Sequence, residues 1–368
     1  MLKVPFNQLY KTSESLRALT SLDSDSGAGA ELTHYFKELG FQLPLLTDSC
    51  TRAIEVAAQV MDIEPGDEVI VPSFGYPTTA GVFANTGVQL VFADSLEQHP
   101  NVSLESIRGL ISSKTKAVVV IHYGGVAIDL PELVDFCATH NLFLIEDNAH
   151  GMGSYLNGKP LGTFGHFSAT SFHQTKNIHC YSGGLFNVSV NALAGPSIQY
   201  YDKGTNRRQF LSGEVPYYEW TSKGNSCAMN ALSKAFLKTQ LNYLKEVTER
   251  RLGIWNRYHA AFRGYEWNFI SDRVKASKCQ HNAHIYAICL KGSDQREELI
   301  KALKTLGIEA YLHYNSLHKS KFGSAYKGVD CPNANAFTQG LLRLPIYPHM
   351  SDDQVDHVIE SILNFAKG

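Results

Sequence analysis

KAVVVIHYGGVAIDLPELVDFCATHNLFLIED, residues 116–147, decides how this chain folds. It opens with a continuous β-branched run, KAVVVIHY (116–123). LPELVDFCATHN (130–141) follows as a helix, and LFLIED (142–147) as a second short apolar run. Strands that read as unbroken apolar runs are buried on both faces, and a helix between two of them makes a parallel βαβ unit. The alternation extends upstream. CTRAIEVAAQVMD (50–62) sets Ala53, Ile54, Ala57, Ala58 and Met61 on one helical face, the Pro65–Gly66 pair breaks the chain, and DEVIVPS (67–73) is again a strand. VQLVFAD (88–94) is another, followed by a polar stretch with helical texture. The expected class is therefore α/β, a mostly parallel sheet with helices on both faces. After about residue 235 the texture changes. AFLKTQLNYLKEVTERRLGIWNRYHAAF (235–262) reads as one long amphipathic helix, followed by HIYAICLK (284–291), a helix-like REELIKALKTLG (296–307) and a strand-like IEAYLHY (308–314). This divides the chain into a large unit, 1–235, and a smaller C-terminal α+β unit, 236–368.

Composition narrows the class of partner. The 368 residues are 44% apolar and 18% charged, enough for a sizeable core. A formal net charge of −2 gives no basic field for nucleic acid or an anionic membrane. The seven cysteines are scattered, odd in number and without a C-x-x-C pair, which speaks against a disulfide framework or a zinc site and for a reducing cytoplasm. His281 and His284 lack a third ligand at a recognisable spacing, so a metal reading is rejected. The N-terminal stretch has no signal-peptide pattern, and no apolar run is long enough to span a membrane.

In sheets of this type ligands bind beyond the carboxyl ends of the strands. Three segments occupy such ends. In TDSCTRA (47–53), Ser49 is placed to cap a helix whose first amides make an anion site. Asp147 ends LFLIED, and SFHQTK (171–176) carries Lys176. Taken singly, these read as a capped helix, a turn and a solvated charge. Together they match pyridoxal phosphate, which needs a phosphate cradle, an amine for its aldehyde and a carboxylate for its pyridine nitrogen.

The chain also resembles a known family, the DegT group of sugar aminotransferases, which are fold type I pyridoxal-phosphate enzymes. The motifs that carry the resemblance run over nearly its whole length: PGDEVIVPS (65–73), VVVIHYGG (118–125), LIEDNAHG (144–151), GTFGHFSATSFHQTKNI (162–178), HNAHIYAICL (281–290), HYNSLH (313–318) and RLPIYPHMSDDQVDHVIESI (343–362). Within the group, KGTNRRQFLSG (203–213), YYEW (217–220) and HYGGVAID (122–129) are most similar to transaminases forming dTDP-4-amino-4,6-dideoxygalactose. The resemblance implies that Lys176 bonds the cofactor and then moves protons, Asp147 faces the pyridine nitrogen, and His150 lies beside the ring or its hydroxyl. Ser171, Cys50 and Thr51 would hold the phosphate, and Tyr76 would stack on the ring.

Lys203, Asn206, Arg207 and Arg208 are candidates for a nucleotide diphosphate, and His313, Tyr314 and His318 for the sugar. Asn225 or Ser226 stands where many members send an asparagine across a homodimer to the cofactor phosphate. L-Glutamate is the implied amino donor and a dTDP-linked 4-keto-6-deoxysugar the acceptor, in deoxyamino-sugar biosynthesis such as that of lipopolysaccharide O-antigen. The alternatives are a 3-keto or GDP/UDP-linked sugar substrate, or a non-catalytic binding member; a dehydratase relative would carry histidine at Lys176. Three departures stand out. Tyr181-Ser182-Gly183-Gly184 replaces the usual Gly-Glu-Gly-Gly, Ser316 replaces a proline, and SLDSDSGAGAELTHYF (21–36) lacks the usual glycine and aromatic pattern.

Overall fold

The computed structural model describes residues 2–20, 27–326 and 330–367. Seven strands form the central sheet: β1 Leu43–Thr47, β2 Glu68–Pro72, β3 Gln89–Ala93, β4 Thr115–Ile121, β5 Phe143–Asn148, β6 Phe167–Ser171 and β7 Gly184–Val188. Their spatial order is β1-β7-β6-β5-β4-β2-β3. The block from β6 to β3 is parallel, and β7 runs antiparallel to both β6 and β1.

Alternate residues of the central strands enter different cores, as a two-fold side-chain period requires. Val69, Val71, Ala117, Val119 and Ile145 face a core shared with Ala53, Ile54, Ala57 and Phe83. Ile70, Val118, Val120 and Leu144 face the opposite one, shared with Leu130, Leu133, Ile254, Trp255 and Tyr258. Both faces being apolar explains the unbroken runs in the sequence.

The first helix over the sheet, Cys50–Val60, begins where expected. Ser49 is extended, and its Oγ accepts the Arg52 amide at 3.2 Å. Gly184, at the start of β7, lies directly beneath that helix start. A Cβ there would sit 2.5 Å from the Ser49 carbonyl carbon and 2.6 Å from the Cys50 nitrogen, so only glycine permits the approach.

The smaller sheet has three antiparallel strands, with Leu341–Leu344 between Tyr286–Cys289 and Tyr311–Leu312. It is covered by helices Ser293–Thr305 and Asp352–Lys367. The N-terminal segment crosses to it through a bridge between Val4 and Ile308.

Two expectations are corrected in detail. The stretch 235–262 is not one helix: helices Ala231–Leu241 and Leu244–Phe262 meet at Asn242–Tyr243. Leu237 and Leu241 serve a core with Phe36 and Phe172, whereas Ile254 and Tyr258 serve the one under the smaller sheet. The polar stretch after β3 is a small hairpin, Ser95–Leu96 with His99–Val102, and only then a short helix, Leu104–Arg108. His99 and Asn101 are buried there, so the polarity marked buried hydrogen bonding rather than a solvated helix face.

Candidate active site

The carboxyl ends of β1, β5 and β6 converge on a cavity of about 900 Å³, walled on its far side by the smaller sheet. Lys176, Asp147, His150, Ser171, Cys50, Thr51, Tyr76, His313 and Tyr314 all line it. Residues from five separate segments of sequence thus meet in one cavity.

Lys176 follows β6 in a loop tightened by a bond from its amide to the His173 carbonyl, 2.9 Å. It is half-buried. Burial lowers its amine to about 8, against the opposing pull of Cys50 and Asp147, and the Arg343 charge lowers it further. The neutral amine is therefore a minor but appreciable fraction near neutrality, far more than a surface lysine has.

Asp147 is 4% exposed. Thr79 donates to its Oδ2 at 2.6 Å and the Ala149 amide to its Oδ1 at 3.1 Å. Burial, the largest influence, raises its pKa above the ordinary carboxylate value, while Thr79, the amide and the Lys176 charge pull it down. A cationic partner in the cavity would hold it ionised.

His150 is fixed from three sides. The Gly124 amide donates to its Nδ1 at 3.2 Å, the Tyr314 hydroxyl lies 3.5 Å from Nε2, and its ring lies 4.6 Å from that of His284. Burial, with the Lys176 charge second, keeps His150 neutral.

The phosphate candidates gather at the start of helix Cys50–Val60. Among the described residues the Ser171 hydroxyl accepts only the His173 amide, at 3.3 Å, and Ser182, in place of the usual glutamate, donates to the Asp48 carbonyl at 2.9 Å. Tyr76 caps helix Pro77–Ala84 and is 55% exposed, so its ring is a free face rather than core packing.

The remaining candidates stand elsewhere. His318 does not line the cavity; it pairs with the Ser73 hydroxyl at 2.6 Å and packs near Phe92. Lys203, Asn206, Arg207, Arg208, Asn225 and Ser226 lie outside the cavity of a single chain, on a projecting loop. Asn206 ties the two arms of that loop together, donating to the Tyr217 carbonyl and accepting the Glu219 amide. Arg208 is paired with Asp202 at 2.5 Å, Asn225 donates to Glu55 at 3.0 Å, and Lys203, Arg207 and Ser226 are exposed. Residues 21–26, the first part of the departing N-terminal stretch, lie outside the described residues.

Several residues that line the cavity or brace its walls escaped sequence reasoning. Thr79, the partner of Asp147, sits inconspicuously in PTT. Asn282 donates from its one amide to the carbonyls of His150 and Met152, 2.7 and 2.8 Å, and so fixes the His150 loop. Asn177, just after the lysine, binds the Asn282 carbonyl and the His284 ring, each at 2.9 Å. Arg251 and Arg343 enter from the C-terminal unit; no motif marks Arg251, and Arg343 opens the RLPIYP motif without a role assigned to it there.

The chain is similar to known proteins over nearly its whole length. Residues 32–363 match the model of the DegT/DnrJ/EryC1/StrS aminotransferase family. The spore coat polysaccharide biosynthesis protein SpsC of Bacillus subtilis is 32% identical over 360 residues, 92% of this chain and 90% of that protein. Among solved structures, the sugar aminotransferase Spr1654 of Streptococcus pneumoniae in its PMP form superposes with a TM-score of 0.89 at 21% identity, covering 99% of both chains. Spr1654 has also been solved in a PLP form. PseC of Helicobacter pylori, an aminotransferase of pseudoaminic acid biosynthesis, gives 0.91 at 19% identity over all of both chains. With a family match over most of its length and a cavity lined by a half-buried lysine and a buried carboxylate, this chain belongs to the DegT/DnrJ/EryC1/StrS family of pyridoxal-phosphate-dependent aminotransferases.

Proposed function

We propose that this protein transfers the amino group of L-glutamate to the keto carbon of a nucleotide-linked keto-deoxysugar. The acceptor is dTDP-4-keto-6-deoxyglucose and the product a dTDP-4-amino-4,6-dideoxyhexose. The observation that carries the reading is the meeting of Lys176, Asp147 and the Ser49–Thr51 helix start in one cavity. Pyridoxal phosphate supplies an aldehyde that holds the amino group in transit and a ring that draws electrons from the carbon beside it.

The residues fit that group. The Cys50 and Thr51 amides and the Ser171 hydroxyl hold the phosphate, and Gly184 leaves the helix start uncrowded. Asp147, braced by Thr79, keeps a proton on the pyridine nitrogen, and Tyr76 covers the ring face. His150, neutral and with its Nδ1 accepting the Gly124 amide, donates one hydrogen bond from Nε2 beside the ring. Lys176 takes the proton from the donor carbon and returns it at the opposite end of the exchange, a role for which a lowered amine basicity is suited. His313 and Tyr314 position the sugar.

Lys203, Asn206, Arg207, Arg208 and either Asn225 or Ser226 are assigned to the site of a second copy, in a cytoplasmic homodimer. The exposed apolar run Phe210, Leu211, Tyr217, Tyr218 and Trp220 on the same loop supports that assignment. The division into units 1–235 and 236–368 belongs to the same reading, with the cavity between them.

The test is incubation with glutamate and a panel of nucleotide keto-sugars while 2-oxoglutarate release is followed. Release with the dTDP-4-keto sugar is expected. Release with 3-keto or GDP- or UDP-linked sugars alone would replace the acceptor, and silence with every sugar would remove the activity.

A further inference from the structure

A second cavity, of about 170 Å³, opens between the hairpin strand His99–Val102, residues 126–129 and the helix Phe269–Ala276. It shares no lining residue with the cavity of Lys176. Its walls are mostly apolar, with Leu96, Val102, Leu104, Val126, Ile128 and Val274 facing the space. Hydrogen bonds hold those walls in place. Asn101 donates to the Val126 carbonyl and accepts the Tyr123 amide, each at 2.8 Å, and Ser277 donates to the Val274 carbonyl at 2.7 Å. These polar groups are engaged in the wall itself, and the cavity is preformed, as ligand sites usually are.

Three polar side chains that line it are not engaged. His99 is 3% exposed, and burial lowers it to about 3, with the Arg273 charge acting in the same direction. The ring is therefore neutral. Its Nδ1 accepts the Asn101 amide at 3.2 Å, so Nε2 carries the proton, and nothing among the described residues accepts it. A buried N–H without an acceptor is destabilising, and an acceptor that enters with a ligand relieves it. Arg273 and Asp129 are the other two. Both are exposed, and among the described residues neither side chain makes a hydrogen bond or an ion pair.

Volume and charge select the ligand. An apolar cavity of about 150 Å³ takes a guest the size of benzene, so this one suits a body of about six carbons. Its acceptor must reach the His99 Nε2. Arg273 is the first charge felt by His99 and Asp129 is not among those that act on it, so the space beside the ring favours an anion. A carboxylate meets the imidazole N–H and the guanidinium together, whereas an amine would meet Asp129 alone and leave His99 unpaired. We propose that this cavity is a second ligand site, taking a small apolar monocarboxylate, with its chain against Val102, Leu104 and Val274 and its carboxylate on His99 and Arg273. The site goes beyond the transfer reaction and does not rest on it.

Calorimetric titration of the holoenzyme with 4-methylpentanoate, and separately with 4-methylpentanamide, tests the proposal. The carboxylate should bind at one site in each chain and the amide about tenfold or more weakly, since the amide lacks the charge-assisted pair. Arg273→Gln, an exposed change that leaves the fold alone, should weaken the carboxylate about tenfold and bring it near the amide. Arg273→Lys should recover part of that loss, because the charge returns without the fork. Ala127→Leu, which fills the cavity and keeps every polar group, should remove binding of both compounds while the cofactor content stays that of the parent. No binding of 4-methylpentanoate by the parent protein would mean a cavity that holds only solvent and would overturn the proposal. Equal binding of acid and amide would overturn the carboxylate, and an affinity unmoved by Arg273→Gln and Ala127→Leu would place the compound elsewhere.

Discussion

In the proposed reaction the chemistry turns on Lys176, whose behaviour is set by desolvation more than by any partner. Because burial brings the amine to about 8, the rate at which the apoprotein captures pyridoxal phosphate should rise with pH through a midpoint near 8. Stopped-flow absorbance checks this; a midpoint above 10 would mean an ordinary solvated lysine. Removing the Arg343 charge by Arg343→Gln should move that midpoint upward, since the guanidinium disfavours the protonated amine. Lys176→Ala should abolish borohydride fixation of the cofactor and lower amination by at least about 10²–10⁴-fold, the usual contribution of a positioned proton carrier. Lys176, Asp147 and Ser171 were legible because each ends or follows a strand in a recognisable motif. Thr79 and Asn282 were not, since a threonine in a helix and an asparagine in a loop acquire meaning only when folding places them against Asp147 and His150. His318 looked like part of the sugar site because it shares a motif with His313, yet the turn over Leu317–Lys319 points it to Ser73 instead.

At the scale of elements, the carboxyl end of β5 shows how the sheet prepares the site. Glu146 and Asp147 are consecutive, so their side chains leave opposite faces. Asp147 enters the cavity. Glu146, fully buried, accepts the Gly162, Phe164 and Gly165 amides at 2.9, 2.7 and 2.6 Å and meets His122 at 2.8 Å. Burial alone would raise this carboxyl, but His122 and the amides outweigh it and hold it below its ordinary value. With a folded value depressed below the unfolded one, its stabilisation is complete above the unfolded value, near 4.5, and is lost as pH falls through the folded one. Glu146→Gln should therefore cost about 3–5 kcal/mol at pH 7, as removal of one partner from a buried pair does, and should flatten the acid limb of the stability curve. Urea unfolding from pH 3 to 7 measures both; an unaltered acid limb would assign that limb to other carboxylates. Gly184→Ala probes the neighbouring junction. Its Cβ would force β7 from the helix start, costing about 1–3 kcal/mol by overpacking and loosening the phosphate cradle, read as a lower melting temperature and weaker cofactor retention. The strands were readable because a two-sided sheet leaves continuous apolar runs. The break at Asn242–Tyr243 was not, because the apolar pattern on either side looks continuous while the two helices serve different cores.

For the whole molecule, the decisive fact is that the basic loop lies outside its own cavity. Lys203, Arg207 and Arg208 share that loop with Tyr218 and Trp220, 51% and 80% exposed, an arrangement a solitary chain gains nothing from. A second copy with two-fold symmetry would bury the aromatics and carry the basic residues to its partner's site, each chain completing the other. Trp220→Asp should then shift sedimentation from dimer to monomer and abolish amination while the Lys176 cofactor bond persists. Mixing subunits gives a sharper test. If the proposed roles hold, Lys176→Ala and Arg208→Ala homodimers should each be severely impaired, the first without its amine and the second without the guanidinium assigned to the diphosphate. Unfolded together and refolded at equal amounts, half of the dimers are hybrids, and each hybrid has one site in which an intact lysine meets an intact loop from the other chain. Activity should therefore return to about a quarter of the parent level, the share of sites repaired under random pairing across a two-fold interface. A loop that served its own chain would repair nothing, because every site would then lack either the amine or the guanidinium, and the mixture would be as weak as its components.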